Sequence, residues 1–500
     1  MSKSEFKILA KQGYNRIPLM VEISTNLDTP LIIYLKLIKN KFTLNTFLLE
    51  FINKKSFLNR YSFIGLPASL KIRSINNITD VLINEKVVES VEGNAFDFIL
   101  KFQSRYKIAL LPNIPRLCGG LFGYFGYDSI QYINKNFLFN LKKKNDLNLP
   151  EILLLFTEEI IVIDNFLKKI YIIIYTNPNV YKSFEKSYKK IKFIINLLKK
   201  KNKFPLFKKT LLTKKYHLFK KYDFIKTVIK AKKYILNGDI MQIQISQCIK
   251  KIFSEPPIDL YRALRYINPS PYMYFYNFGD FQIVGSSPET LVKNEIINKK
   301  NKNIYKKITI RPLAGTRKRS KNFKKDKLLS LELLTNFKEI AEHIMLIDLA
   351  RNDISRISNT GTVKVTEQMV LEKYSHVQHI VSNVEGILKK NLSNIDILKS
   401  VFPAGTLSGT PKIKAMEIIN KLEPRNRGLY GGACGFLSFN GEMDVAILIR
   451  TGIIKNNFLY IQSAAGIVND SIPEKEWEET KNKIKVILKA AENVQNGLIK

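Results

Sequence analysis

The sequence contains few cysteines and no long apolar run. Its three cysteines, Cys118, Cys248 and Cys434, lie far apart without CxxC spacing, which argues against a disulfide framework or a structural zinc site. It has no stretch of about 18 uncharged apolar residues. The first residues, MSKSEFKILAKQGYNRIPL, lack the apolar core of a secretion signal. We therefore expect a soluble, cytoplasmic protein with no membrane partner.

Acidic residues are also scarce, since 43 Asp and Glu stand against 81 Lys and Arg, a net charge of +38. Such an excess commonly indicates binding to nucleic acid or to an anionic membrane. Here lysine is abundant throughout the chain, and the densest run, residues 189–221, is typical of a solvated helix followed by a linker. We interpret the charge as a general compositional bias and predict no specific nucleic-acid partner. A basic nucleic-acid-binding protein stays the alternative from a different functional class.

The chain is rich in short apolar runs separated by turns. With 500 residues and 45% hydrophobic composition, it is long enough for about two or three domains, or for two lobes of one unit. Asn440 and Gly441 stand between apolar stretches, which is a strong hairpin signal, and a second turn is predicted at residues 455–457. Strands joined by such turns pair antiparallel, which disfavours a doubly wound parallel sheet. We predict an α+β fold.

The ends of two helices can be predicted from capping residues. Residues 222–239 have the pattern of a helix that Asp223 caps and that Gly238 follows. The last helix, which is predicted to start near residue 473, is expected to carry a capping box formed by Ser471 and Glu474.

One stretch, EHIMLIDLARNDISR at residues 342–356, places three acids in a strongly apolar helical pattern. Glu342 and Asp353 share one stripe with two leucines, while other apolar residues cover the remaining sides. A helix that is apolar on all sides is normally buried, and a buried carboxylate is costly unless a cation or hydrogen-bond donors meet it. Glu342, Asp348 and Asp353 therefore require a partner, either a basic side chain or a metal.

Eight further short motifs carry residue types that chemistry commonly uses. Taken singly, each has an ordinary structural explanation; for example, Glu479 and Lys483 form a common i,i+4 ion pair. The motifs are GSSPET (285–290), RPLAGTR (311–317), YSHVQHIVSNVEG (374–386), FPAGTLSGTPKIKAM (402–416), GLYGGACGF (428–436), AILIRTG (446–452), QSAAGIV (462–468) and EWEETKNK (476–483).

Together and in this order, the motifs resemble the chorismate-utilising enzymes, and within them the large component of anthranilate synthase. The likeness spans nearly the whole chain, from YNRIPLMVEISTNLDTPLIIYLKL and NRYSFIGLP to EETKNK. It implies a large two-lobed fold with mostly antiparallel sheets and helices packed outside. It also implies an N-terminal lobe at 1–205 with tryptophan-site elements, a basic linker at 206–221 and a chorismate-binding catalytic region at 222–500.

The resemblance further implies a lyase reaction, the first step of tryptophan biosynthesis. Chorismate and ammonia are converted into anthranilate and pyruvate with Mg2+ as cofactor. A glutamine amidotransferase subunit supplies the ammonia, so that a hetero-oligomer is expected. Glu342 and Glu479 match the two metal-binding glutamates of the family, and Mg2+ favours such carboxylates. Asp348 and Asp353 are instead expected to pair with an arginine of their own stretch.

The same resemblance assigns roles to further residues. Glu289 corresponds to the proton donor for loss of the ring hydroxyl, and it must be protonated when the substrate is bound. His379 corresponds to the active-site histidine, which we assign to proton handling during pyruvate elimination, and Thr406 is a further catalytic contact. The substrate's carboxylates are expected to contact the side chains of Tyr430, Arg450 and Lys483 and the backbone N–H groups of Gly315, Thr316, Ala464, Ala465 and Gly466.

Two positions separate the branches of the family. The aminodeoxychorismate synthase branch has a lysine where this chain has Ala314, and the isochorismate and salicylate synthase branches have a lysine base where it has Gln242. Because both lysines are missing, the site fits ammonia as the nucleophile. Aminodeoxychorismate synthase stays the closest alternative. Cys434 belongs to a predicted strand region, so the chain carries no amidotransferase nucleophile motif of its own.

The family's tryptophan site is where this sequence departs most. Glu50, Pro271, Tyr272 and Met273 match its expected wall, whereas Phe51 stands where serine is usual. The ring removes a hydroxyl donor and fills space, and such overpacking alone costs about 1 to 3 kcal/mol of ligand affinity. Inhibition by tryptophan is therefore predicted to be weakened or absent.

Overall fold

Two large antiparallel sheets face each other, and helices cover their outer faces. The computed structural model describes residues 1–497 except 25–27, 39–43, 52–59, 113, 116, 135–142, 144–146, 201–208, 211–212, 299–303 and 374–376. Each sheet has twelve strands in this part of the chain, and every pairing between them is antiparallel. The predicted α+β fold is confirmed.

The first sheet combines strands from both ends of the chain. Its order is β1-β10-β9-β3-β2-β13-β14-β23-β24-β12-β11, and β20 pairs with β12. The strands are β1 (Ile17–Ser24), β2 (Thr46–Phe51), β3 (Tyr61–Gly65), β9 (Glu159–Asp164), β10 (Lys169–Thr176), β11 (Lys215–His217), β12 (Gln242–Ile252), β13 (Tyr272–Asn277), β14 (Phe281–Ser287), β20 (Gly409–Thr410), β23 (Thr451–Lys455) and β24 (Phe458–Ile467).

The second sheet also combines strands from both ends of the chain. Its order is β17-β19-β16-β15-β22-β21-β7-β8-β4-β5-β6, and β18 pairs with β19. The strands are β4 (Leu70–Ile75), β5 (Ile78–Ile83), β6 (Lys86–Glu92), β7 (Gly120–Phe125), β8 (Ile152–Thr157), β15 (Thr290–Asn298), β16 (Ile304–Ile310), β17 (Leu313–Lys318), β18 (Lys364–Lys373), β19 (Val377–Ile387), β21 (Ala433–Ser438) and β22 (Met443–Ile447).

Helices pack on the outer faces of both sheets. On the first sheet, α4, α5, α6 and α11 contact strands, and on the second sheet α7, α8 and α9 do so. The helices of the described residues are α1 (Lys3–Lys11), α2 (Pro30–Ile38), α3 (Ala95–Ser104), α4 (Ser183–Lys199), α5 (Lys221–Leu236), α6 (Pro257–Ile267), α7 (Phe323–Thr335), α8 (Phe337–Ser355), α9 (Asn394–Val401), α10 (Lys412–Leu422) and α11 (Pro473–Gln495), with 3-10 helices at Tyr127–Tyr132 and Gly405–Leu407.

Aromatic side chains fill the space between the two sheets. Phe47 of β2 stacks on Phe122 of β7 with ring centroids 4.5 Å apart, and Phe122 in turn contacts Phe436 of β21. All three rings are buried. Since large rings bury much apolar surface and fit pleated strands, this layer accounts for the close association of the sheets.

Both predicted hairpin turns are confirmed. Asn440 and Gly441 lie between β21 and β22, which pair directly, and Gly441 has a φ of +83° that glycine adopts without strain. Asn456 and Asn457 join β23 to β24, also with positive φ. These turns fix the antiparallel register of two strand pairs, one in each sheet.

The predicted helix caps are wrong in part. Lys220, not Asp223, is the N-cap of α5, and it makes no side-chain capping bond, whereas Gly238 does follow the helix with a φ of +79°. The N-cap of α11 is Ile472. Ser471 forms no capping box, because its hydroxyl accepts a hydrogen bond from the Val468 N–H of the preceding turn.

Each of the two sheets contains strands from both sides of the predicted boundary at residue 205. β2 pairs with β13, and β7 pairs with β21, so strands from before and after residue 205 lie side by side. Within the predicted linker at 206–221, residues Lys215–His217 form β11 at an edge of the first sheet. The division at these boundaries remains a prediction.

None of the three cysteines, all of which lie in the described residues, is part of a disulfide. Among the helices in the described ranges, none combines the length and apolar character needed to cross a lipid bilayer. The cytoplasmic location remains a prediction.

Candidate active site

Two segments that cross from one sheet to the other lie side by side at the candidate site. Glu289 stands between β14 of the first sheet and β15 of the second, and Arg450 stands between β22 and β23. The Ile447 N–H donates to the Glu289 carbonyl at 3.0 Å, and the Ser286 N–H donates to the Arg450 carbonyl at 3.1 Å. Arg450 has a φ of +51°, a rarely used conformation that tight turns and functional sites favour.

The Glu289 carboxyl group is buried and its proton is held tightly. The residue is only 7% exposed, and burial raises its pKa to about 7, although a hydrogen bond from Thr406 and the charge of Lys483 act in the opposite direction. Thr406 Oγ1 donates to Glu289 Oε1 at 3.0 Å. Such a carboxyl group can act as an acid near neutral pH.

Glu289 and Thr406 line a cleft of about 380 Å³ between the second sheet and α8. Its wall also contains Arg311 and Asp353, and the rest of the lining is mainly apolar, with Leu346 of α8 among it. A few polar groups in a mainly apolar wall are typical of sites that bind small organic molecules.

Residues of α11, of β24 and of the segment just before β21 lie close together beside this cleft. Lys483 Nζ donates to the Ala464 carbonyl at 2.8 Å and forms an ion pair with Glu479 at 2.7 Å. The Tyr430 hydroxyl is bonded to the backbone of Ala464, and burial raises the pKa of Tyr430. Arg450 lies within electrostatic range of both Tyr430 and Glu479, while burial lowers the pKa of Arg450.

His379 is held by the turn that contains Gly315. His379 in β19 is paired with Thr316 across a β-bulge in β17, and Gly315 has a φ of +65° in this bulge. The His379 Nδ1 atom lies 2.9 Å from the Gly315 carbonyl and 3.0 Å from Thr316 Oγ1. Because the carbonyl can only accept, Nδ1 carries the hydrogen in that bond. Burial lowers the pKa of His379 to about 4, so the ring is neutral at neutral pH.

The structure connects Glu342 to the same strands through Gln242. Gln242 Nε2 donates to Glu342 Oε1 at 3.0 Å, and the same amide lies beside Gly466, where a Cβ would approach it to 3.0 Å. Ala465 and Gly466 pair with β12, the strand that Gln242 begins. Glu342 is therefore positioned by a residue adjacent to the predicted substrate strand.

Glu342 and Glu479 suit a hard cation by the chemistry of their oxygens. A neighbour holds each carboxylate, Gln242 for Glu342 and Lys483 for Glu479, and Mg2+ commonly takes one or two protein carboxylates together with waters and substrate oxygens. In the part of the chain described here, no cluster of three or more His, Cys, Asp or Glu residues forms an all-protein metal cage. Each glutamate thus offers the oxygen ligands that Mg2+ favours, and that the two share one ion remains a prediction.

Helix α8 is less buried than its apolar pattern predicted. Ile344 is 45% exposed, and Asp348 is on the surface, where it pairs with Arg351 at 3.3 Å. Asp353 is buried but pairs with Lys412 of α10 at 2.7 Å rather than with an arginine of its own stretch. The helix packs on β16, β17 and β19 and also contacts α7, α9 and the 3-10 helix at residues 405–407, so the exposed positions form only part of its surface.

Sequence reasoning missed several groups around the cleft. The sequence marks Gln242 only as a position where other branches have lysine, and it does not indicate the bond to Glu342. The ion pairs of Arg311 with Glu372 of β18 and of Asp353 with Lys412 were also missed. Each of these contacts joins segments far apart in the chain, so helical or strand spacing carried no signal for them.

The predicted tryptophan-site residues are neighbours on the first sheet, but their side chains lie on both of its faces. Phe51 and Tyr272 pack between the sheets, whereas Glu50 contacts α6 and Met273 packs in the same core cluster as the α6 side chains. Glu50 and Phe51 of β2 pair with Met273 and Tyr272 of β13, next to a cavity of about 240 Å³, and Pro271 directly precedes β13 and is buried. The Glu50 carboxylate accepts hydrogen bonds from Arg265 and from the Tyr261 hydroxyl. The cavity is lined by Leu49, Glu50, Phe51, Tyr272, Met273, Tyr274, Cys434, Gly435 and Asp444.

Comparison with known proteins identifies the family. Residues 57–489 match the family model described as chorismate binding enzyme. Because the match covers most of the chain, this chain belongs to the family of chorismate binding enzymes.

Relatives of full length identify the branch. Anthranilate synthase component 1 of Neisseria gonorrhoeae is 48% identical to this chain over 503 residues, covering 100% of both. The protein of the same name from Pseudomonas aeruginosa is 44% identical and covers 98% of both. The crystal structure of anthranilate synthase component I from Streptococcus pneumoniae matches with a TM-score of 0.74 and 35% identity, over 87% of this chain and 94% of that chain. The resemblance predicted from the motifs is confirmed.

Proposed function

We propose that this chain is the synthase component of anthranilate synthase, a lyase that makes anthranilate and pyruvate from chorismate and ammonia. One observation supports the proposal: the buried, protonatable Glu289 accepts a hydrogen bond from Thr406 and lies within electrostatic range of Lys483. Lys483 in turn pairs with Glu479, which lies within electrostatic range of Arg450. The full-length identity of 48% to a relative of that name supports the same reaction. It is the first step of tryptophan biosynthesis.

The cations bind the two carboxylates of chorismate. Arg450 and Lys483 supply charge-assisted hydrogen bonds, and the Tyr430 hydroxyl supplies a neutral one. Lys483 is already oriented by Glu479 and by the Ala464 carbonyl, so binding the dianion costs little additional ordering of this side chain. Backbone N–H groups of Gly315, Thr316, Ala464, Ala465 and Gly466 are proposed as further donors.

Glu289 donates the proton to the departing ring hydroxyl. Its pKa of about 7 leaves a substantial share protonated at neutral pH, and a bound dianion raises the pKa further, since like charges disfavour ionisation. Thr406 orients the carboxyl group through its 3.0 Å hydrogen bond. The acid is therefore in its reactive form when the substrate is present.

His379 acts as a neutral group during pyruvate elimination. Its Nδ1–H is used by the Gly315 carbonyl, so Nε2 is the nitrogen that can accept a proton. A pKa of about 4 makes it a weak base in the substrate-free chain, and the negative charge of the substrate strengthens it.

Ammonia is the nucleophile, and a partner subunit supplies it. Neither Ala314 nor Gln242 provides a lysine that would form a covalent amine or activate water, and a glutamine amide is not a base at neutral pH. The names of the relatives denote a component 1, which implies a second component. We propose that this partner is a glutamine amidotransferase and that the two form a hetero-oligomer.

Glu342 and Glu479 are the residues that would hold Mg2+, with Gln242 orienting the first of them. When bound, the ion supplies positive charge next to a substrate carboxylate. The remaining steps depend on the protein's own groups described above.

The decisive experiment measures chorismate turnover with ammonium, with and without Mg2+, for the wild type and for Glu342→Gln. We expect activity only for the wild type with Mg2+. Glu478→Gln, which changes an exposed carboxylate of α11, is the control and should keep wild-type activity. Equal activity in all four conditions would overturn the metal assignment.

The products distinguish this reaction from the nearest alternative. Chromatography should find ortho-aminobenzoate together with pyruvate in equal amounts. An aminated chorismate that keeps its enolpyruvyl group would instead indicate aminodeoxychorismate synthase and would contradict the proposal.

Tryptophan inhibition is proposed to be weak in this chain. The Phe51 ring makes edge-to-face contacts with Phe63, Tyr272 and Phe436 at centroid distances of 5.9, 5.4 and 6.4 Å, and it is only 8% exposed. These contacts support the idea that the ring fills the volume that a serine would leave for the inhibitor. Glu50 is already satisfied by Arg265 and Tyr261.

A further inference from the structure

A buried ion pair lies behind the candidate active site and takes no part in the chemistry proposed above. The side chains of Glu423, directly after α10, and Arg427 are 4% and 1% exposed. Arg427 Nε and Nη2 donate to the two Glu423 carboxylate oxygens at 3.0 and 2.8 Å. Burying two charges is costly unless their donors and acceptors are used, and here both side chains also bond to the backbone.

The same pair joins two backbone segments. Arg427 Nη1 donates to the Leu407 carbonyl at 2.6 Å, and Nη2 donates to the Gln244 carbonyl at 2.8 Å. The Ser246 N–H donates to Glu423 Oε1 at 2.7 Å. Leu407 ends the 3-10 helix at residues 405–407, whereas Gln244 and Ser246 belong to β12. The pair therefore fixes this short helix against the strand.

Both segments carry a group of the candidate site. Thr406, which precedes Leu407, donates to Glu289, and Gln242, two residues before Gln244, donates to Glu342. The planar guanidinium presents five donors in a fixed arrangement, so it can meet the Glu423 carboxylate and two backbone carbonyls at once. A lysine at the same place has one nitrogen and cannot reach all of them.

We propose that Glu423 and Arg427 are positioning residues that hold Thr406 against Glu289 and so set the geometry of the proton donor. The inference rests on the proposed function. It differs from a purely structural role, because a pair that served stability alone would leave the chemistry unchanged in any variant that still folds.

The test compares Arg427→Lys with the wild type, using the full chain with ammonium and Mg2+. We expect kcat to fall by about 10- to 100-fold, the size of effect that a small misplacement of a reacting group produces, while KM for chorismate changes by less than about twofold. The alkaline limb of the kcat profile should move to higher pH, since the Thr406 hydrogen bond that favours the ionised form of Glu289 is weakened. The other charged groups facing the carboxyl group, Lys483, Arg311 and Asp353, are unchanged.

A double-variant comparison identifies the route of the effect. Thr406→Val should move the alkaline limb in the same direction, and the variant that combines it with Arg427→Lys should show no larger shift, because both changes remove one interaction. Additive shifts would show that Arg427 does not act through Thr406 and would overturn the inference.

Arg60→Lys is the matched control for stability. Arg60 donates to Asp164, a carboxylate that is fully buried in the first sheet, at 2.6 Å. Its replacement should lower the melting temperature but leave kcat and its pH profile unchanged. If Arg427→Lys also lowers only the melting temperature, the inference is wrong while the proposed function stands.

Two further measurements keep the inference testable. Hydrogen–deuterium exchange of the peptide covering residues 404–409 should increase in Arg427→Lys and not in Arg60→Lys. This measurement does not depend on turnover. If the wild type shows no chorismate turnover, the proposed function is wrong, but the exchange result still tests the positioning role. If Arg427→Lys does not fold, Glu423→Gln is measured by the same criteria, and unchanged exchange and an unchanged kcat profile in that variant would refute the positioning role.

Discussion

Replacing Glu289 by glutamine should remove a pH-dependent loss of stability from the protein. Burial raises the pKa of Glu289 from the ordinary value of 4.5 to about 7 in the folded chain. A carboxyl group whose pKa is higher in the folded than in the unfolded state makes its full contribution to stability below pH 4.5. This contribution to the free energy of unfolding is lost as the pH rises toward 7. Glutamine does not titrate, so the variant lacks this dependence.

The magnitude follows from the two pKa values. A difference of one pH unit is worth 1.36 kcal/mol, so the rise in pKa corresponds to about 3 kcal/mol as an order of magnitude. Between about pH 5 and about pH 8, the free energy of unfolding of the wild type should fall relative to Glu289→Gln by about 2 to 3 kcal/mol. Above about pH 8 the difference should be constant.

Urea unfolding of both proteins at the two pH values measures this difference. Glu478→Gln serves as the control, because Glu478 is 53% exposed and exposed charges contribute little to stability; its difference from the wild type should stay small at both pH values. If the difference between the wild type and Glu289→Gln is the same at both pH values, the carboxyl group is not held in its protonated form, and its assignment as the acid loses its physical basis.

Two other substitutions test the tryptophan cavity and the partner of Asp353. Phe51→Ser should tighten tryptophan binding by roughly 5- to 150-fold, the equivalent of about 1 to 3 kcal/mol. Titration calorimetry measures the affinity, and Phe166→Ser at an exposed position is the control. Unchanged affinity in Phe51→Ser would argue against steric filling by Phe51. Lys412→Met should cost about 3 kcal/mol in urea unfolding, because it leaves the buried Asp353 carboxylate without its cation. Arg351→Met removes the exposed partner of Asp348 and should cost less than about 1 kcal/mol; equal costs would show that burial is not the deciding factor.

Turn chemistry and motif order were good guides to this protein, whereas local capping rules were not. The Asn440–Gly441 hairpin was predictable because glycine tolerates the positive φ that the turn requires. The cap predicted at Ser471 failed because the hydroxyl had a second acceptor role in the preceding turn, with the Val468 N–H as donor. Short polar side chains often have several local partners, and sequence spacing does not choose between them.

The candidate site shows the same limit. The motifs predicted which residues belong to it, and the structure brings Glu289 near Lys483 and Thr406. The partners that hold those residues were not predictable, since Asp353 meets Lys412 and Glu342 meets Gln242 through tertiary packing alone. Helical periodicity describes one element at a time, and these contacts join two.

The interleaving of early and late strands determines how the chain can be divided. A cut after residue 205 would separate Thr46–Phe51 from Tyr272–Asn277 and Gly120–Phe125 from Ala433–Ser438. Each fragment would then present unpaired backbone donors and acceptors along newly created sheet edges, which promote aggregation. A split gene could produce a working enzyme only if both polypeptides were present together while they fold.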